Sequence, residues 1–210
     1  MSCGAEGTAL CDNCYKQLDD FGQRCWRCHH LIPGSRTCGA CRHTGSPAHV
    51  YIRTNHEGLA RDLLSAYKFG QQRAASTSIA GLMLEALPAL DVSRPDYLIV
   101  PVPTATSRVR ERGFDHTALL AKEIAYRLKM PYSSALRRTG HSRQLGARRE
   151  ERLTQLAGSI SVKNYRLVNG CKILLIDDVV TTGGTIIAVT QALRRAGAAS
   201  VDALLFAKRL

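Results

Sequence analysis

The stretch KILLIDDVVTTGGT (residues 172–185) restricts the fold more than any other part of the chain. A short, unbroken apolar run bounded by turn signals reads as a strand buried on both faces, which belongs in a parallel sheet. The run ends on two adjacent carboxylates, Asp177 and Asp178, and passes through a Thr/Gly loop into the helix TIIAVTQALRRAG, closed at Gly197. In open parallel sheets, ligands bind beyond the carboxyl ends of the strands. Gly183 and Gly184 let the backbone approach a ligand, and Thr181, Thr182 and Thr185 add hydroxyl donors. The helix N-terminus contributes unpaired N–H groups and the positive end of its dipole. Together they form a cradle for a phosphate monoester. Asp177 and Asp178 cannot also bind phosphate; they are placed to accept hydrogen bonds from sugar hydroxyls or to sit behind a bound Mg²⁺. A ribose with a 5′-phosphate meets both halves. A capped helix beside two solvated aspartates would explain one threonine, but not two aspartates, two glycines and three threonines in one turn. The loop has neither the GK[ST] of a Walker A motif nor a GxGxxG pattern.

The surrounding sequence alternates strand and helix signals. HVYIRT (49–54) predicts a strand, and GLARDLLSAYKF a helix with Leu59, Leu63, Ala66 and Tyr67 on one face. SIAGLMLEAL predicts a second helix stopped at Pro88. DYLIVPVP (96–103) is an apolar strand that must finish at Pro101 and Pro103. Phe114, Ala118, Ala121, Ala125 and Leu128 mark a helix closed before Pro131, and VDALLFA a last strand. Residues 137–156 read as an arginine-loaded loop. The predicted fold class is α/β, a mainly parallel sheet flanked by helices.

Seven of the eight cysteines fall within the first 41 residues: Cys3, CDNC (11–14), CWRC (25–28) and CGAC (38–41). A CxxC knuckle places two thiolates on one metal, and two knuckles complete a tetrahedral Zn²⁺ site. The start MSCGAEGTALC has no basic or apolar signal region, so a cytoplasmic location is expected, where disulfides are rare. A redox CxxC would sit beside a βαβ unit, and these pairs precede any. Cys25, Cys28, Cys38 and Cys41 make one full site. Cys3, Cys11 and Cys14 are one ligand short of a second, which His29, His30 or His43 could complete; pairing of 11/14 with 25/28 is the alternative. A closed four-thiolate site is structural rather than catalytic. The expectation is a zinc ribbon over 1–46, single or double, before an α/β domain over 47–210. Cys171 reads as a small buried hydrophobe.

The chain carries 29 Lys+Arg against 17 Asp+Glu, a net charge of +12 that attracts polyanions. No apolar run approaches the ~20 residues of a membrane span. The CxxC knuckles, the helix ending AYKFG, VPVP followed by RVRERGFDHTALLA, and ILLIDDVVTTGGT resemble the ComF/GntX-like family of competence-associated phosphoribosyltransferase-like proteins over residues 3 to 210. ILLIDDVVTTGGT is itself similar to the phosphoribosyl pyrophosphate (PRPP) signature of type I phosphoribosyltransferases. The resemblance implies that fold, PRPP bound with Mg²⁺, and a link to uptake of single-stranded DNA in natural transformation, with other competence proteins as partners. It carries the PRPP-binding role onto Asp177, Asp178, Val179, Val180, Thr181, Thr182, Gly183, Gly184 and Thr185. It adds Gln144 and Arg152 from a mobile loop that closes over PRPP, and Lys68 is a candidate for the same site. The departures are Gln155 where Asn is usual, Gly113-Phe114-Asp115-His116 where GFNQ is common, and Cys3 alone of a fourth CxxC pair.

Arg108, Arg110 and Arg112 follow the VPVP strand end, at the same sheet edge. Arg108 and Arg112 are the candidates for the pyrophosphate, because guanidinium binds phosphate oxygens bidentately. Asp177, Asp178 and Arg112 are the catalytic candidates. Arg137, Arg138, Arg143, Arg148, Arg149 and Arg152 face only Glu150 and Glu151, so they either neutralise pyrophosphate or track single-stranded nucleic acid. Stacking platforms for bases are few: Phe114 and Trp26 are the best placed, and Phe114 reads as core.

Overall fold

The computed structural model describes residues 10–70, 72–88, 97–138 and 158–209. Cys3, Gln144, Arg152, Gln155 and the arginines at 143, 148 and 149 lie outside them. Four strands, β1 (Val50–Asn55), β2 (Tyr97–Pro101), β5 (Lys172–Val180) and β6 (Ser200–Lys208), form one sheet in the order β1-β6-β5-β2. Every pairing in it is parallel. A separate antiparallel pair joins β3 (Leu136–Arg138) to β4 (Ile160–Val162).

The apolar runs explain the layering. Along β5, Ile173 and Leu175 face one way, packing with Val201, Ala203 and Leu205 against helix α6 (Gly184–Arg195). Leu174 and Ile176 face the other way, with Leu204 and Phe206. That second face is covered by α2 (Gly58–Phe69), α3 (Ala75–Glu85) and α5 (His116–Leu128). Both faces are therefore dry, and each buried Leu or Ile contributes about 2 kcal/mol.

The Cys-rich segment starts with one helical turn, α1 (Asp12–Tyr15), and is otherwise held by short 3₁₀ turns. It packs along the outer edge of β1, where Phe21 N donates to Arg53 O (3.2 Å) and Arg36 bridges His49. It also meets α6: Arg194 donates to Thr44 O (2.7 Å), and a Cβ on Gly45 would overlap the Gln191 side chain.

Three expectations change. The arginines after VPVP lie on a helix, α4 (Thr106–Arg112), closed by Gly113 at φ +76°. Arg137 and Arg138, at the start of the segment read as a loop, lie in β3 and pair with β4, because Leu136 and Ile160 are drawn into the core; the rest of that segment, 139–156, lies outside the described residues. Cys171 is half-buried at the core margin, one residue before β5.

Candidate functional site

At the carboxyl end of β5, Asp178 is buried and pairs with two groups brought by different helices. Lys68, the last basic residue of α2, meets its Oδ2, and so does Nε2 of His116 (3.0 Å), the first residue of α5. His116 Nδ1 lies 3.0 Å from a terminal nitrogen of Arg112. An imidazole that accepts from Arg112 at Nδ1 and donates from Nε2 to Asp178 satisfies both contacts. The guanidinium of Arg112 also lies 4.9 Å from the centre of the exposed Phe69 ring.

These contacts act on the Asp178 carboxyl in opposite directions. Burial works to raise its pKa, but the His116 hydrogen bond and the Lys68 charge outweigh it and hold the group below the usual carboxylate range. Asp177 behaves otherwise. Successive strand side chains point to opposite faces, and Asp177 forms neither of those ion pairs. Burial, then the adjacent Asp178 charge, push it well above its ordinary value. The sequence treated the two acids as equivalent; the structure separates them.

The loop that follows lies between β5 and α6. Thr181 and Thr182 are exposed, Gly183 and Gly184 buried, and Thr185 half-buried. Gly183 is the residue capping α6, with φ +80°, a left-handed conformation that glycine adopts without strain. Ile187 N bonds to Gly183 O (3.0 Å), so α6 is wound from its first turn. Val180 is a core residue whose carbonyl accepts from Arg209 N (2.9 Å), and Val179 N bonds to Asp178 Oδ1 (2.6 Å). Both valines thus lie in hydrogen-bonded backbone at the start of the loop.

Lys208, at the end of β6, is buried and donates to Thr181 O (2.9 Å). Its burial lowers its pKa. This ammonium, close under the loop, was missed by the sequence reading, although a charge closing VDALLFAK is the same signal that drew attention to Asp177 and Asp178. His116 was also missed; it appeared only as a departure from a family pattern.

Of the predicted arginines, Arg112 joins the site and has a buried Nε with no hydrogen-bond partner among the described residues. Arg108 is exposed on α4, and its charge acts on Arg112, whose pKa falls through burial and then through that charge. Asp115 serves as the α5 cap, accepting from Ala118 N (3.1 Å) and from Thr104 (2.9 Å). The predicted stacking residues are not open: Trp26 is buried and Phe114 packs edge-on to Tyr67.

Among the cysteines, the sulfurs of Cys25, Cys28, Cys38 and Cys41 all lie within 4.8 Å of one another. Zinc–sulfur bonds of about 2.3 Å separate tetrahedral sulfurs by roughly 3.8 Å, so the donor set suits Zn²⁺. The thiols also compete for protons. Against the opposing effect of burial, backbone N–H groups of Cys28 and Cys38 lower Cys25 to about 6. Burial and hydrogen bonds with Cys28 and Cys38 push Cys41 up to about 12. Among the described residues, Cys11 and Cys14 join no such cluster. No helix among those residues is long and apolar enough to cross a membrane.

Comparisons with known proteins agree with this layout. Residues 117–210 match the phosphoribosyl transferase domain family. Competence protein ComFC of Bacillus subtilis is 30% identical over 204 residues, spanning 92% of this chain and 81% of that protein. Competence protein F of Haemophilus influenzae is 28% identical over 208 residues (92% and 87%), and DNA utilization protein YhgH of Salmonella typhimurium 28% identical over 207 residues (92% and 87%). A solved adenine phosphoribosyltransferase from Thermoanaerobacter pseudethanolicus aligns over 67% of this chain and 83% of its own, at 15% identity and a TM-score of 0.40. The parallel sheet with its acidic strand end and Thr/Gly loop, and a relative 30% identical over most of both chains, show that the chain belongs to the ComF/GntX-like family of phosphoribosyltransferase-like proteins.

Proposed function

We propose that the site binds PRPP with Mg²⁺ and transfers its phosphoribosyl group to an acceptor with loss of pyrophosphate, in a protein that serves DNA uptake in natural transformation. The observation that carries the reading is the loop Thr181–Thr185, which opens α6 beside two adjacent carboxyl groups at the end of β5. In it, the N–H groups and hydroxyls of 181–185 hold the 5′-phosphate. The charge of Lys208 lies under the same loop. Asp177 takes the ribose hydroxyls, and Asp178, held ionised by Lys68 and His116, supplies fixed negative charge beside C1. Arg112 offers its unpartnered Nε to a pyrophosphate oxygen. A nucleophilic nitrogen of the acceptor forms a bond to C1 as the C1–O bond to pyrophosphate breaks, and pyrophosphate leaves with the electron pair. Mg²⁺ would neutralise the leaving group, and the carboxylates would stabilise the oxocarbenium-like charge.

Turnover of PRPP with a panel of nucleobases and amines tests this. Pyrophosphate release that needs Mg²⁺ and is lost in Asp177→Asn/Asp178→Asn supports it; PRPP binding with no release on any acceptor sinks the transfer.

A second reading has its own observation. Asp178 is already held by the Lys68 ion pair and by His116, which suits a PRPP-responsive site in a factor that binds single-stranded DNA without chemistry. The net charge of +12 supports it, as do the relatives named for competence and DNA utilization. Here single-strand affinity should fall steeply with salt and on removal of Arg148 and Arg149. Binding that ignores salt would count against it.

A further inference from the structure

We propose that Trp26, carried between two metal-binding thiols, is the positioning residue of the phosphate loop, so that the state of the cysteine site sets the conformation of Gly183. The phosphate-site reading above is needed only for the ligand arm of the test.

Trp26 is the single tryptophan of the chain and is 1% exposed. It lies inside the first knuckle, between Cys25 and Cys28. Its indole N–H donates to Thr37 Oγ1 (3.0 Å), and Thr37 donates onward to Pro47 O (3.1 Å). Thr37 directly precedes Cys38, the first ligand of the second knuckle. The ring is thus attached to both halves of the four-sulfur cluster, one by covalent bonds and one by a buried hydrogen bond.

The far side of the ring meets the phosphate loop. A Cβ added to Gly183 would overlap Cζ3 and Cη2 of Trp26. Gly183 is the left-handed cap of α6, so its geometry decides where the first N–H groups of that helix point. Trp26 packs in the same apolar cluster as Ile186 and Ile187, the next turn of α6. Contacts of Thr44 with Arg194 and of Gly45 with Gln191 hold the Cys-rich segment on the same helix further along. Metal-bound knuckles fix Trp26 as a wall behind Gly183. With the metal gone, four mutually close thiols separate, Thr37 loses its fixed position, and the wall loosens. A glycine next to an unfilled space has many conformations open to it, so the N–H groups aimed at the ligand lose their alignment.

Amide hydrogen exchange on the whole, zinc-loaded chain tests the coupling without any substrate, reading residues 181–187 against the core strand 172–176. Stripping zinc with a chelator should speed exchange at 181–187 by roughly tenfold more than in the strand. An equal change in both, or none at 181–187, overturns the metal link. Trp26→Ala and Gly183→Ala should each speed loop exchange with zinc still bound. Because the two share one contact, the double substitution should do little more than either alone. Additive effects, or a Trp26→Ala loop that exchanges as in the wild type, overturn the role of Trp26. If Trp26→Ala does not fold, Trp26→Phe, which keeps an apolar ring but loses the Thr37 bond, takes its place with the same criteria. In the ligand arm, Trp26→Ala should weaken ribose 5-phosphate binding about tenfold while inorganic pyrophosphate binds as before. Equal loss for both ligands overturns the proposal. A wild type that binds neither overturns the PRPP reading, and exchange alone then decides the coupling.

Discussion

Lys68 and Asp178 form an ion pair between the end of α2 and the tip of an inner strand, with His116 closing its other side. Side-chain exposures of 17% and 8% put both charges largely out of water, where losing one partner costs more than the pair contributes. Lys68→Ala should therefore destabilise the protein by roughly 3 kcal/mol, and Lys68→Met/Asp178→Leu by clearly less. Urea unfolding of the single and double variants checks the order. A single variant as stable as the wild type would remove the ion pair from the account.

Neighbouring acids should respond with opposite signs. Asp178 has a depressed folded pKa, so its stabilisation is present above its unfolded value of about 3.9 and is lost as pH falls through the folded value. Asp177 is raised, so its contribution is whole below about 3.9 and is lost as pH rises through the folded value. At pH 7 and without ligand, Asp177→Asn should stabilise and Asp178→Asn destabilise. Two changes of the same sign, measured by urea unfolding, would contradict the split.

Metal content should be one zinc per chain. Cys11→Ser/Cys14→Ser should keep it, and Cys25→Ser or Cys38→Ser should lose it, read by elemental analysis of the purified chain. Two zinc ions per chain would contradict the single-site expectation.

A control lies at the opposite end of the sheet. Asp202 is buried in β6 and accepts from His49 N (2.9 Å), His49 Nδ1 (3.0 Å) and the Tyr97 hydroxyl (2.6 Å). Asp202→Ala leaves those donors without a partner and should cost about 2 kcal/mol. Because the site lies beyond the other end of the strands, ribose 5-phosphate affinity in the folded variant should be unchanged. Calorimetric titration of the folded fraction measures it.

Local patterns carried much of this structure in the sequence. The strands at 50–55, 97–101, 172–180 and 200–208 announce themselves as apolar runs, and the Thr/Gly loop as a motif. Knuckle spacing announced a four-sulfur cluster but left open whether 25/28 pairs with 38/41 or with 11/14, and the structure brings together the former. Partnerships across long separations left no such trace. That Lys68 and His116 meet Asp178 depends on how α2 and α5 pack on one face, which no periodicity encodes. Trp26 looked like a base-stacking candidate because burial is invisible in a CWRC string. The short β3–β4 pair was missed because strands of three residues, one of them Leu-Arg-Arg, carry too little alternation to read.

The order of the strands also dictates an order in time. β6 lies between β1 and β5, and His49 and Asp202, which touch across the sheet, are 153 residues apart. A ribosome releases the Cys-rich segment first, and its four thiols, spanning residues 25 to 41, can close on a metal at once. The sheet they lean on cannot be joined until residues 200–208 arrive, since among the described residues β1 pairs with no strand but β6. Strand β6 pairs with both β1 and β5, and its Lys208 donates to Thr181 O, so one strand joins the sheet and supports the Thr/Gly loop together.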